Sequence, residues 1–166
     1  RIRNEQDVCL NDEGIFISSA NNTKIINNTM TIFGMSDAIL LSDVSNSLIA
    51  NNTIRAMDKD GVDIQGAGTN NIILSNEINC SSSSCSGIRI DAASNKIFNN
   101  FITTYNASSS VGITLSSASN NTVYDNTFLA YNGTKSAIFL VSSKNNTIFN
   151  NTIIALNWTI NGIELS

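Results

Sequence analysis

The chain has 166 residues, no His, no Pro, 13% charged residues and a formal net charge of −4. Without imidazole there is no Ser-His-Asp or Cys-His machinery and no imidazole metal site, and a weakly acidic chain with no basic patch argues against a nucleic-acid partner. No apolar run approaches the ~20 residues of a membrane span, so none is expected in this chain.

Residues 1–13 stand apart. Arg1-Ile2-Arg3-Asn4-Glu5-Gln6-Asp7 is highly charged and only Val8-Cys9-Leu10 alternates like a strand, so an irregular segment or partial coil is expected there, ahead of a single domain over 14–166. A start at Arg1 rather than Met suggests that a leader or upstream domain has been removed. Cys9 has no evident partner.

From Gly14 the chain repeats. A small residue followed by apolar-x-apolar stands at Gly14-Ile15-Phe16-Ile17, Gly61-Val62-Asp63-Ile64 and Gly112-Ile113-Thr114-Leu115, and the small positions 14, 38, 61, 87, 112, 137 and 162 are spaced by 23 to 26 residues. Each unit also carries an Asn-rich segment, from Asn22-Thr23-Lys24-Ile25-Ile26-Asn27-Asn28-Thr29-Met30 to Asn145-Asn146-Thr147-Ile148-Phe149-Asn150-Asn151-Thr152-Ile153. A period of this length marks a solenoid. Its apolar residues alternate with polar ones in short β-branched runs, as in strands, and no run is long enough for a helix. Asn, Ser, Asp and Gly between the runs suit turns and left-handed backbone. The prediction is an all-β solenoid of about six coils, each of three short strands and about 25 residues.

Stacking places equivalent residues above one another at ~4.8 Å, and the alternation yields five inward columns. They run from Ile15 to Ile163 and Ile17 to Leu165 in the first strand, Ile25 to Ile148 in the second, and Met30 to Ile153 and Ile32 to Ala155 in the third. Asn28, Asn52, Asn76, Asn100, Asn126 and Asn151 recur at one place in six coils. Stacked amides can each donate to the carbonyl oxygen of the next, so this column reads as a structural Asn ladder at a turn. The pattern G-I-x-L followed by N-N-T-I-x-x-N-x-I resembles the repeat of right-handed parallel β-helix proteins, the pectate-lyase-like and NosD-like group, from Gly14 to the end. The resemblance implies a right-handed parallel β-helix. It selects no activity, because that group contains lyases, hydrolases, epimerases, tailspikes and non-catalytic surface proteins. Copper handling is not carried over, since His ligands are missing.

Along the coils, candidate sites appear in order. Asp58-Lys59-Asp60-Gly61-Val62-Asp63 closes the second coil and could set Asp58, Asp60 and Asp63 around calcium, which favours oxygen ligands, although the stretch is too short and irregular for an EF-hand loop. Asp63 and Arg89 fall in one outward column and Asp91 two residues on. Two carboxylates so offset could serve an inverting glycosidase, while a solvated charge ladder with one Asp-Arg pair is the plainer expectation. Cys80 and Cys85 bracket a Ser-only loop and could close it as a disulfide, with a buried free thiol as the other reading of Cys80.

The outward position of the second strand is unusually apolar, with Ile26, Leu74, Phe98, Tyr124 and Phe149, and Phe101, Leu129 and Ile154 lie beside it. Contiguous apolar patches mark contact surfaces, so packing against another protein, sugar stacking and cover by the chain itself are all open. Sequons begin at Asn21, Asn27, Asn51, Asn79, Asn106, Asn120, Asn132, Asn145, Asn150 and Asn157. Most belong to the repeat, where turns want Asn and strands want Thr. Asn106, Asn132 and Asn157 share one loop column while their sequons are spelled differently, which suggests glycosylation in a host that glycosylates. The final Gly162-Ile163-Glu164-Leu165-Ser166 supplies only the first strand of a further coil, so either more chain or a neighbouring molecule is expected to adjoin it.

These features predict a secreted or cell-surface structural solenoid that assembles with copies of itself or with adjoining domains, without catalysis and without a cofactor. The alternative is a polysaccharide-active or polysaccharide-binding module, acting through Asp63, Arg89 and Asp91 or through the aromatic stripe.

Overall fold

A computed structural model describes the backbone of residues 2–4 and residues 13–82, 84–105, 109–132, 135–156 and 160–166. All its strand pairings are parallel, and the strands form three sheets of seven, seven and six strands, each sheet adding one strand per coil. No helix occurs among the described residues, and therefore none long and apolar enough to cross a membrane. The first face begins with Ile15–Ser18, Ile39–Ser42 and Val62–Gln65 and ends with Asn161–Leu165. The second runs from Lys24–Ile26 to Thr147–Phe149, and the third from Ile2–Asn4 to Thr152–Leu156.

Within the N-terminal stretch expected to be an irregular segment or partial coil, residues 2–4 form a strand that pairs with the third face in register, Ile2 opposite Met30 and Asn4 opposite Ile32. Val8-Cys9-Leu10, the predicted strand-like stretch, lies outside the described residues.

Alternation places the apolar residues as predicted. Ile39, Leu41, Ile64, Ile88, Ile90, Ile113 and Leu115 on the first face, Ile49, Ile73, Ile97 and Val123 on the second, and Met30, Ile54 and Ile78 on the third are fully buried. Each such side chain contributes about 1.5–3 kcal/mol on leaving water. The ends depart: Ile15, Ile17, Ile148 and Ile153 are partly buried, Ala155 is exposed, and in the last rung Ile163 and Leu165 are 51% and 74% exposed. Close stacking also explains the small residues that open each unit. A Cβ on Gly61 would lie 2.6 Å from the carbonyl oxygen of Gly87 and 2.6 Å from Ile78 Cγ2.

The Asn doublets divide two tasks between neighbours. The first Asn takes left-handed backbone, with φ of 59° at Asn27, 54° at Asn51 and 54° at Asn150. Asn tolerates that region better than most residues with a side chain. The second Asn turns inward and joins the ladder. Asn52 Oδ1 accepts both the backbone N–H of Asn28 (2.9 Å) and its Nδ2 (3.1 Å), and the same two bonds recur from Asn52 to Asn76, from Asn76 to Asn100, from Asn100 to Asn126 and from Asn126 to Asn151. Each Nδ2 from Asn52 onward also donates to a main-chain carbonyl of the preceding coil, as Asn76 does to Ile49 at 3.0 Å.

A second ladder, not anticipated from the sequence, stands at the turn between the first and second faces. Backbone N–H groups of Ser47, Asn71, Asn95 and Asn121 donate to Oδ1 of Asn71, Asn95, Asn121 and Asn146 at 2.8–3.0 Å. The column begins with a serine, since Thr23 N–H donates to Ser47 Oγ.

Candidate functional site

The least regular part of the solenoid lies where the second coil passes into the third. Asp63 projects outward from the first face, opposite Leu40 on one side and Arg89 on the other. Although outward, it is only 1% exposed, and Asp37 and Asp60 beside it are 0% and 5% exposed. One oxygen from each carboxylate lies within 4.8 Å of the other two. The turns before the second and third strands of this face bring Asp37 and Asp60 in, and hydrogen bonds fix them. Asp37 Oδ1 accepts the backbone N–H of Asp60 at 3.1 Å, and Oδ2 takes the Lys59 ammonium at 2.8 Å. Asp60 Oδ1 accepts the backbone N–H of Ser86 at 2.6 Å.

Asp63 Oδ2 accepts from Gln65 Nε2, while Oδ1 is buried without a hydrogen-bond partner. Burial pushes the Asp63 carboxyl up to about 7, against the opposing hydrogen bond from Gln65 and with Asp37 and Asp60 adding repulsion. Asp60 is raised to about 6, again by burial first, with the Ser86 N–H working the other way.

This geometry alters the expected charge ladder. Arg89 turns to Asp91, with Nη2 3.0 Å from Oδ2, and forms no salt bridge with Asp63. Asp63 is enclosed rather than solvated, so it is not presented to a polymeric substrate. Of the three residues considered for calcium, Asp60 and Asp63 lie together while Asp58 is exposed and outside the group. Asp37, which spacing within one loop could not reveal, takes the third place from the coil before.

On the second face the apolar column becomes a stack of rings. Phe98 and Tyr124 are 4.7 Å apart between centroids and 7° from parallel, and Tyr124 and Phe149 are 5.0 Å apart and 2° from parallel. Ile26, Phe101, Phe149 and Ile154 are exposed; Leu74, Phe98, Tyr124 and Leu129 are half-buried. Buried Ala50 separates Ile26 from the rest of the stripe.

A groove of about 450 Å³ runs over the third face, lined by Thr31, Phe33, Arg55, Met57, Asn79, Ser81 and Tyr105. Tyr105 continues it into a stack with Tyr131 at 5.3 Å. The sequence reading had not singled out this groove, because Phe33, Met57 and Tyr105 come from turns and strand ends of different coils.

Of the sequon residues, Asn21, Asn27, Asn51, Asn120, Asn132, Asn145 and Asn150 are exposed, and Asn79 is half-buried in the groove. Asn27, Asn51, Asn120, Asn132, Asn145 and Asn150 adopt positive φ, and Asn21 Oδ1 accepts the Ser45 N–H at 3.0 Å. A turn role therefore accounts for most sequons without a glycan. Asn106 and Asn157 lie outside the described residues. Cys80 and Cys85 form a disulfide, with Cα atoms 6.1 Å apart.

A family model described as right-handed beta helix region matches residues 13–166. No curated protein and no solved structure matches the sequence.

Proposed function

The chain belongs to the right-handed β-helix family, and on that premise we propose that it is a structural solenoid, secreted or displayed at a cell surface, that packs against neighbouring subunits or domains. The observation that carries this reading is the stripe of stacked rings Phe98, Tyr124 and Phe149, flanked by exposed Phe101 and Ile154. Rings aligned along a rigid sheet lose little freedom on contact, and a contiguous apolar surface gains by leaving water. The Cys80–Cys85 disulfide and the exposed sequons favour an oxidising, glycosylating environment. Glycosylation at Asn106, Asn132 and Asn157 belongs to this reading.

The groove on the third face favours a second reading, a polysaccharide-binding module. Tyr105 and Phe33 offer ring faces for sugar stacking, Arg55 a guanidinium for a uronate carboxylate, and Asn79 an amide for hydroxyls. The catalytic version of that reading is disfavoured by the enclosure of Asp63.

Sedimentation velocity and electron microscopy over a range of concentrations separate the two. Under the structural reading the protein forms oligomers, and Phe149→Ser with Ile154→Ser returns it to monomer with unchanged circular dichroism. A strictly monomeric protein at high concentration that instead shifts in size with an added polyuronate would replace the first reading by the second.

A further inference from the structure

We propose that Asp37, Asp60 and Asp63 form a calcium site that ties the second coil of the solenoid to the third. The three carboxylates arrive from two successive coils, all of them nearly or fully removed from water, with an oxygen of each within 4.8 Å of the others. Calcium–oxygen distances of about 2.3–2.6 Å bring the ligands of one ion within about 5 Å of each other, so the trio already has the required spacing.

Charge and hydrogen bonding both favour a cation among these carboxylates. Among the described residues Lys59 is the only cation in salt-bridge contact with the trio, and it touches Asp37. Arg89, the next nearest guanidinium along the column, is engaged by Asp91. A buried carboxylate without a partner is costly, yet Asp63 Oδ1 has no hydrogen-bond donor and no access to water. Asp37 Oδ1, Asp60 Oδ1 and Asp63 Oδ2 are held by the Asp60 N–H, the Ser86 N–H and Gln65, so each carboxylate is oriented before any ion arrives.

Oxygen-only donors select a hard cation. Magnesium demands a regular octahedron and keeps several waters, whereas calcium accepts irregular sets of carboxylate and carbonyl oxygens, which suits three buried carboxylates brought together by two turns. Lys59, whose side chain is 44% exposed, is free to swing into solvent and release Asp37 Oδ2 to the ion. It thus competes with calcium for the same oxygen.

The test is calorimetric titration of the chelator-treated whole chain with calcium chloride at neutral pH, with thermal melts in calcium chloride, in magnesium chloride and in potassium chloride of equal ionic strength. The expected result is one ion per chain and a melting temperature raised by about 3–6 °C at a tenfold excess over the dissociation constant. Asp63→Asn, which removes the orphaned charge and should fold at least as well, abolishes both effects. Asp58→Asn, at the exposed carboxylate of the same turn, retains them, and Lys59→Gln tightens binding several-fold. The proposal is overturned if no saturable binding appears up to about 10 mM, if potassium chloride raises the melting temperature equally, or if Asp63→Asn responds to calcium like the parent.

Discussion

Two sets of buried polar groups in the solenoid, the Asn ladder and the Asp cluster, are handled in opposite ways. In the ladder from Asn28 to Asn151 every amide is neutral, and each oxygen from Asn52 onward receives two donors from the coil before, as Asn76 Oδ1 does from Asn52. In the Asp37, Asp60 and Asp63 cluster the groups are ionisable, the spacing is irregular, and Asp63 Oδ1 receives nothing. Burial of polarity stabilises only where donors and acceptors are matched in number. The ladder achieves that match by repetition, because each residue supplies what its predecessor needs. The cluster occurs once, in two adjoining coils, so no such cancellation is available to it.

The sharpest way to break the contrast is to remove one rung in the middle of the ladder. Asn76→Ala deletes the acceptor for two Asn52 donors and the donor to the Ile49 carbonyl and Asn100 Oδ1. With several buried groups left unpaired, a loss of about 3–5 kcal/mol is expected in urea unfolding.

A smaller effect is expected at the cluster, with the opposite sign for loss of a polar group. In calcium-free protein the folded carboxyls of Asp63 (about 7) and Asp60 (about 6) lie above the ordinary 3.8. Between about pH 4 and 7 the folded state therefore holds protons that the unfolded chain releases, and stability falls as pH rises through that window. Asp37 adds to the upward shift of both groups, whereas Arg89, and for Asp60 also Lys59, oppose it. Unfolding free energy should drop by about 2–4 kcal/mol from pH 4 to pH 8, and Asp63→Asn should flatten most of that slope. A pH-independent stability would contradict the burial assigned to the cluster.

The smallest effect sharpens the comparison from within the ladder itself. Asn151 accepts the same pair of donors as its predecessors and donates to the Val123 carbonyl, but it ends the ladder with no rung to donate to and is partly exposed in the last complete coil. Water can replace its contacts, so Asn151→Ala should cost only about 1 kcal/mol. If it cost as much as Asn76→Ala, the burial of the ladder would not be what sets its strength.

The same contrast decides what could be read before any coordinates. The period, the three strands, the inward columns and the ladder from Asn28 to Asn151 were legible, because each recurs and a single exception does not hide the pattern. The second ladder was hidden by substitution at its start: the column begins with Ser47, and its later members Asn71, Asn95, Asn121 and Asn146 resemble ordinary turn residues. Asp37 was hidden by distance, since it joins Asp60 and Asp63 from the preceding coil. The burial of Asp63 was hidden by its alternation, which gives the direction of a side chain but not what closes over it. The strand at Ile2–Asn4 was masked by charged neighbours.

The ladder also gives the molecule an arrow. Each rung from Asn52 to Asn126 passes its N–H and Nδ2 donors forward to the next Asn and receives the same pair from behind, so these coils are interchangeable links with a fixed sense. Excising one whole period, for instance from Asn100 up to but not including Asn126, brings Asn126 Oδ1 to the place that Asn100 Oδ1 held against Asn76. Excising half a period would set a strand where a turn belongs. Length is thus quantised in units of a coil, and a gene that gains or loses such a unit by slippage would still encode a rod with every rung in step.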